Sequence, residues 1–230
     1  MQHRTILLWL PRVVGVATAF YCLLFVSGTL SRLGIYLLSQ QHQAAILGGS
    51  MALALLTLPS RGSERRGVPW YDTAAILATV VICGYVFFFY RVLVEHQLWG
   101  ITSYEMIMGV VICLIVLEVT RRSAKLPMVL VVLFFMLTMF FGDHLPGILH
   151  GRGYTLERGM SVLFISTEGL FGIPLNVASL IVFPFFVYGQ FLMQSGAGDF
   201  FLNLALSLFG RVRGGPAKAA VVASALFGTL

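Results

Sequence analysis

The chain has 230 residues, of which 58% are hydrophobic and only 10% are charged, and its net charge is +6. Soluble domains carry about 25% charged residues, so this composition excludes a soluble globular domain and indicates a protein surrounded by lipid. The basic residues lie between hydrophobic runs rather than among aromatics on polar segments. They therefore indicate membrane topology and not nucleic-acid binding.

Six apolar runs are predicted to be membrane-spanning helices, since a span needs about 20 apolar residues and about 17–25 are tolerated. In chain order they are 13–30, 42–58, 70–90, 101–120, 126–141 and 176–194. The first run also has the basic start of a secretory signal. Its length of 18 residues and the absence of a small-residue cleavage site after it favour a retained helix.

Lysine and arginine are concentrated in every second connection, for example in "PSRGSERRGVP" and "RRSAK". This pattern predicts a cytoplasmic N-terminus. It is consistent with six spans only if "DFFLNLALSLFG", which follows "SGAG", does not cross the membrane. That segment is too short to span and is predicted to be an interfacial helix beginning at Asp199. A second interfacial helix is predicted from "TLERGMSVLF" in 155–164.

No catalytic or metal-binding constellation is recognisable in the sequence. The five histidines lie in or beside predicted connections, and none has a second ligand at metal spacing on a helix. The three cysteines, Cys22, Cys83 and Cys113, each lie inside an apolar run without CxxC spacing, which indicates a packing role. We therefore expect no enzyme activity, no metal and no bound cofactor.

The few charged residues near spans have structural interpretations. Glu118 has Arg121 at i+3 and Arg122 at i+4, which predicts an ion pair at the cytoplasmic end of its helix. Asp72 is expected near the positive end of a helix dipole. Glu105 is expected at the outer interface, without a special partner.

The sixth span contains Pro184, which is expected to kink the helix because proline lacks a backbone donor. Gln190 in the same span is interpreted as a hydrogen-bonding bridge to a neighbouring helix rather than a substrate contact.

The last segment, "RGGPAKAAVVASALFGTL", opens with Gly214 and Gly215, followed by Pro216 at a first helical position. Its many small residues predict close packing against protein rather than lipid. Residues 216–230 would extend about 22 Å at 1.5 Å per residue, short of a crossing of about 30 Å. A half-helix that ends near mid-membrane at Gly228 and Thr229, as in many transporter sites, and a truncated ordinary span both remain open.

A long stretch, "STEGLFGIPLNVASLIVFPFFVYGQFLMQSGAGDFFLNLALSLFGRVRGGPAKAAVVASALFGT", resembles the fused permeases of tripartite ATP-independent periplasmic (TRAP) transporters, in particular the TAXI type. The upstream motifs "VPWYD" and "LEVTRR" also fit that family. The resemblance runs from about Val68 to the end of the chain, and it is most specific from Glu168 to Thr229. The first sixty residues match only in general character.

The resemblance implies an all-α integral membrane protein of the elevator type. Residues 1–122 would form a four-helix scaffold unit, and 123–230 would begin the large transport unit, with two interfacial arm helices and the first arm of a re-entrant hairpin. It also implies uptake of organic anions driven by a cation gradient, usually sodium, although protons are possible. A periplasmic binding protein would deliver the substrate, in the inner membrane of a bacterium or archaeon.

On this sequence the implied edge of the substrate and ion site consists of Ser224, Gly228 and Thr229, entered through Gly214, Gly215 and Pro216. The hairpin of the family continues beyond the position of Leu230, so we expect a truncated chain that does not transport by itself. The alternative function is a stand-alone scaffold or accessory membrane subunit that only binds a larger partner.

Overall fold

The structure, a computed structural model, describes residues 2–58, 69–147, 150–151, 153–209 and 214–228, and every regular element in these ranges is helical. The α-helices in chain order are α1 (Gln2–Val26), α2 (Thr29–Arg32), α3 (Ser39–Thr57), α4 (Trp70–Trp99), α5 (Ser103–Phe141), α6 (Leu156–Met160), α7 (Ile173–Val177), α8 (Phe183–Gln194), α9 (Ala197–Phe209) and α10 (Gly215–Gly228). A 3₁₀ turn, Gly142–His144, follows α5, and π-helical segments, Ser161–Ile165 and Ala178–Val182, continue α6 and α7. The protein is therefore an all-α membrane protein, as its composition predicts.

Within the described residues, four helical segments are long and apolar enough to cross a membrane by length and composition. They are Trp9–Val26, Trp70–His96, Ser103–His144 and Ile173–Gln194. The sequence predicts six spans, and α3 and α5 account for the difference. Helix α3 has 19 residues, but its first turns, "SQQHQ", are polar, so it falls below the hydropathy of a span.

Helix α5 unites two of the expected spans in one run of 39 residues, which is about 58 Å long at 1.5 Å per residue. A single crossing needs only about 30 Å. The backbone breaks at Lys125, where φ is 66° and ψ is 176°, and Pro127 follows two residues later. The expected connection around "RRSAK" is therefore a break at one residue and not a loop.

Other predicted boundaries lie close to the observed ones. Helical structure covers Leu156–Ile165 and then ends, close to the helix predicted in 155–164. Helix α9 begins at Ala197, two residues before the expected start, so Asp199 lies in its first turn. Pro184 is the second residue of α8, and the π-helical segment Ala178–Val182 immediately precedes that helix. The kink expected at Pro184 stays a prediction.

The chain forms two compact units, residues 1–181 and 182–230. In the first unit α3 packs between α1 and α4 through small residues. A Cβ atom added at Gly49 would overlap the side chain of Thr18 in α1, and one added at Gly48 would lie 3.0 Å from Cβ of Cys83 in α4. These glycines allow the helix backbones to approach closely, which is how helices associate in lipid.

The apolar core of the first unit joins α3, α4 and α5 to the segment after α6. Its members are fully or almost fully buried: Ala44, Ile82, Cys83, Val86, Tyr90, Leu93, Ile112, Phe164, Ile165 and Phe171. Many large apolar side chains elsewhere on the same helices are exposed, including Phe88 and Phe135. Such an exposed apolar surface suits a lipid environment.

In the second unit α9 packs against α10 through alanine. Ala205 of α9 is buried against Ala219 and Ala223 of α10. The prediction that the small residues of the final segment pack against protein is therefore confirmed for these positions.

Candidate functional site

The predicted hairpin entry begins with a backbone conformation that only glycine adopts without strain. Gly214 has a φ of 77°, and its carbonyl accepts the first helical hydrogen bond of α10 from the Lys218 amide. Gly215 and Pro216 are the first two residues of α10. Proline is tolerated there because those amides have no partner within the helix.

Two predicted site residues lie on the face of α10 that does not pack on α9. Ala219 and Ala223 are buried, whereas Ser224 and Gly228, which are four residues apart and share a face, are exposed. Thr229, the third predicted site residue, lies outside the described residues. Ser224 and Gly228 are therefore oriented for contact with something other than α9.

Gly228 also lies at the rim of a cleft in the second unit. The cleft has a volume of about 340 Å³ and is mostly apolar, and its other lining residues all come from α8: Phe185, Phe186, Tyr188, Gly189, Gln190, Leu192 and Met193. The amide of Gln190 and the hydroxyl of Tyr188 are the polar side-chain groups of this lining. Small-molecule sites have this composition, an apolar wall with a few polar groups that orient the ligand.

Gln190 is thus placed differently from its sequence-based interpretation as an interhelical bridge. Its side chain is exposed, and no hydrogen bond joins it to another of the described residues. The sequence offered one signal for this position, the neighbouring Gly189, which opens space beside the amide.

The first unit contains a buried ion pair that the sequence analysis did not predict. The Arg122 guanidinium donates to Asp72 at 2.7 Å, and the side chains of both residues are almost completely buried, at 2% and 1% exposure. Arg122 also donates to Glu118 at 2.8 Å and to the carbonyl of Leu58 at 3.3 Å. One guanidinium therefore connects α5 with the first turn of α4 and the chain just after α3.

The predicted pairing of Glu118 is confirmed. Arg121 donates to both carboxylate oxygens of Glu118, at 2.7 and 2.8 Å, in addition to the contact from Arg122. Because Arg121 and Glu118 are both partly exposed, their pair has access to solvent or lipid headgroups. Within this network, the buried Arg122 is the residue that also connects α5 to Asp72 and to the Leu58 carbonyl.

A second polar cluster closes the connection between α4 and α5. Glu105 is 1% exposed and accepts hydrogen bonds from the Thr102 amide at 2.9 Å and from Tyr85 at 3.3 Å, and its Oε1 lies 2.7 Å from His96 Nδ1. The expectation that Glu105 has no special partner is wrong. The eight residues between His96 and Glu105 contain Gly100, whose φ of 116° makes the turn that brings them together.

His42 lies beside a connection, as expected, but its burial was not predicted. This residue lies in the first turn of α3, is fully buried, and stacks on Phe25 with ring centroids 3.8 Å apart. Among the described residues, no three His, Cys, Asp or Glu side chains lie close enough together to hold a metal ion.

These features define the class of the protein as a multi-pass helical membrane protein with polar residues concentrated at helix junctions and an apolar cleft beside a short small-residue helix. The family follows from comparison. The profile of a family described as tripartite ATP-independent periplasmic transporter, DctM component, matches residues 111–230, which is more than half of the chain. The chain belongs to this family, and it is a membrane permease component of a TRAP transporter. No curated protein and no solved structure matches it.

Proposed function

We propose that the chain is a permease component of a TAXI-type TRAP transporter, which takes up organic anions by an elevator motion driven by a sodium gradient. The family match over residues 111–230 carries this proposal. A periplasmic binding protein delivers the substrate to the outer face. The protein lies in the inner membrane of a bacterium or archaeon with its N-terminus in the cytoplasm.

In this proposal residues 1–122 act as the scaffold unit, and 123–230 begin the transport unit. The close packing of α3 on α1 and α4 through Gly48 and Gly49 supports a rigid role for the first part of the chain. The second unit, residues 182–230, contains the short helix α10 and the cleft.

The edge of the substrate and ion site is proposed at Ser224, Gly228 and Thr229. Support comes from the exposed face that Ser224 and Gly228 share and from the position of Gly228 beside the cleft. No acidic side chain belongs to the described lining of that cleft, so an organic anion would not meet a like charge there. Small residues at such a site allow backbone carbonyls and amides to approach the ligand.

The driving ion is tested by reconstituting the native gene product into liposomes together with its binding protein. Uptake of a panel of radiolabelled monocarboxylates and dicarboxylates is measured under an inward sodium gradient, an inward proton gradient, or neither. We expect uptake only with the sodium gradient. Uptake driven equally by the proton gradient without sodium would overturn the choice of ion.

The site is tested in the same assay with the substitution Ser224→Leu. A bulky side chain on the exposed face of α10 should abolish uptake while the protein level in the membrane stays normal. The matched control is Ser207→Leu, the same substitution at an exposed position of α9, which is outside the proposed site. Normal uptake by Ser224→Leu would remove this residue from the site.

A further inference from the structure

Helix α1, helix α3 and the segment 173–182 meet at a buried polar cluster in the first unit. Tyr21 of α1 stacks on His42 of α3, and both Cys22 of α1 and His42 contact the carbonyl of Ser179. Gln43, the next residue of α3, bonds to Asn176. His42 and Ser179 are fully buried, and Gln43 is 2% exposed. Polar groups at this depth require hydrogen-bond partners.

The carbonyl of Ser179 is the centre of the cluster. It lies in the π-helical segment Ala178–Val182, where carbonyls accept from the amide five residues ahead. That residue is Pro184, which has no N–H. The carbonyl instead faces the Cys22 thiol at 3.7 Å and His42 Nε2 at 3.4 Å.

This contact fixes the tautomer of His42. Because a carbonyl only accepts, Nε2 must carry the proton that it donates to Ser179, and the Nδ1 of a neutral imidazole is then a pure acceptor. Nδ1 is buried and has no hydrogen-bond partner among the described residues.

Gln43 presents a second acceptor of the same kind. Its Nε2 donates to Asn176 Oδ1 at 3.0 Å, while its Oε1 is buried without a described partner. The Tyr21 hydroxyl, whose ring stacks at 5.6 Å from that of His42, is the third such atom. The cluster therefore holds two acceptors and one hydroxyl. Even if the hydroxyl donated to one acceptor, the other would remain unsatisfied.

We propose that this cluster is a binding site for a buried water molecule. Water supplies two donors, for His42 Nδ1 and Gln43 Oε1, and accepts from the Tyr21 hydroxyl, so its hydrogen-bonding capacity complements the three atoms. Buried waters characteristically make about three hydrogen bonds to otherwise unsatisfied groups. The water joins α1 to α3 near the Ser179 carbonyl, for which Pro184 provides no backbone donor. This site does not depend on the proposed transport function.

The test is radiolytic hydroxyl labelling of the full chain in lipid nanodiscs, read residue by residue by mass spectrometry. Radicals formed from a bound water oxidise the side chains beside it, even when these are shielded from bulk solvent. We expect His42 to be labelled despite its complete burial, whereas Tyr90, a buried tyrosine of the apolar core, should be labelled several-fold less once the intrinsic reactivities of the two residue types are allowed for. Labelling of His42 no faster than that of Tyr90, on the same corrected scale, would overturn the proposal.

Two variants separate a bound water from general solvent access. Gln43→Leu removes one acceptor and should lower His42 labelling several-fold, and Tyr21→Phe, a milder change, should lower it as well. The matched control Gln41→Leu alters the same residue type on the same helix, where Gln41 bonds to the Phe87 carbonyl outside the cluster, and should leave His42 labelling unchanged. Unchanged labelling in a folded Tyr21→Phe or Gln43→Leu protein would show that radicals reach His42 by another route, and the site would be rejected.

Discussion

Replacing Asp72 by asparagine should destabilise the protein strongly, because it leaves the buried Arg122 guanidinium without its closest countercharge. The two side chains are 1% and 2% exposed, and their contact distance is 2.7 Å. Removing one partner of a buried pair typically lowers the free energy of unfolding by about 3–5 kcal/mol. Here Glu118 and the Leu58 carbonyl still contact Arg122, so we expect the lower end, about 3 kcal/mol.

The measurement is equilibrium unfolding in bicelles by steric trapping, with thermal melting as a second assay. Asp199→Asn is a matched control, since Asp199 also lies in the first turn of a helix but is exposed. Its loss should be limited to the dipole contribution of about 0.3–1 kcal/mol. The double variant Asp72→Asn with Arg122→Gln should be more stable than the sum of the single losses predicts, because no unpaired charge remains. A loss for Asp72→Asn no larger than that of the control would refute the reasoning.

Three further substitutions are expected to change stability in the same assays. Gly49→Ala should destabilise the protein by about 1–3 kcal/mol because its Cβ overlaps the side chain of Thr18 in α1. The control Gly84→Ala, with open space at its Cβ, should be nearly neutral. Equal effects of the two substitutions would contradict the close approach of α3 to α1. Lys125→Gly should stabilise the protein by about 1–3 kcal/mol, since the φ and ψ of this residue lie in a region that is essentially restricted to glycine. A lower melting temperature of this variant would contradict the backbone break at Lys125 in α5. Glu105→Gln should destabilise the protein by about 1–3 kcal/mol because the carboxylate is buried with three contacts. The control Glu95→Gln, at an exposed position, should have little effect. Unchanged stability of Glu105→Gln would exclude a structural role for the cluster around Glu105.

Local patterns in the sequence predicted several features of the fold. The i, i+3 and i+4 spacing of Glu118, Arg121 and Arg122 was sufficient to predict their pairing, because helix geometry alone places such residues together. The small residues of the final segment likewise predicted packing, which occurs at Ala219 and Ala223. The candidate site was predicted less completely, since Gln190 was assigned to helix packing and its place in the cleft was not foreseen.

The polar clusters could not be predicted because they join residues that are distant in sequence. Asp72 and Arg122 are 50 positions apart, and Gln43 and Asn176 are 133 positions apart. Each of these residues taken alone has an unremarkable explanation at a helix end. Only their burial, which depends on how the helices pack, turns them into required partners.

The sequence by itself determined that the protein is a helical membrane protein and, through its resemblance, to which family it belongs. Composition and hydrophobic run length decide this, since a chain in lipid must satisfy its backbone hydrogen bonds within helices. The tertiary structure decided which polar residues are buried together, where α5 breaks, and that Gly228 and Gln190 border one cleft. These features depend on contacts between helices, and the pattern within a single helix does not specify its neighbours.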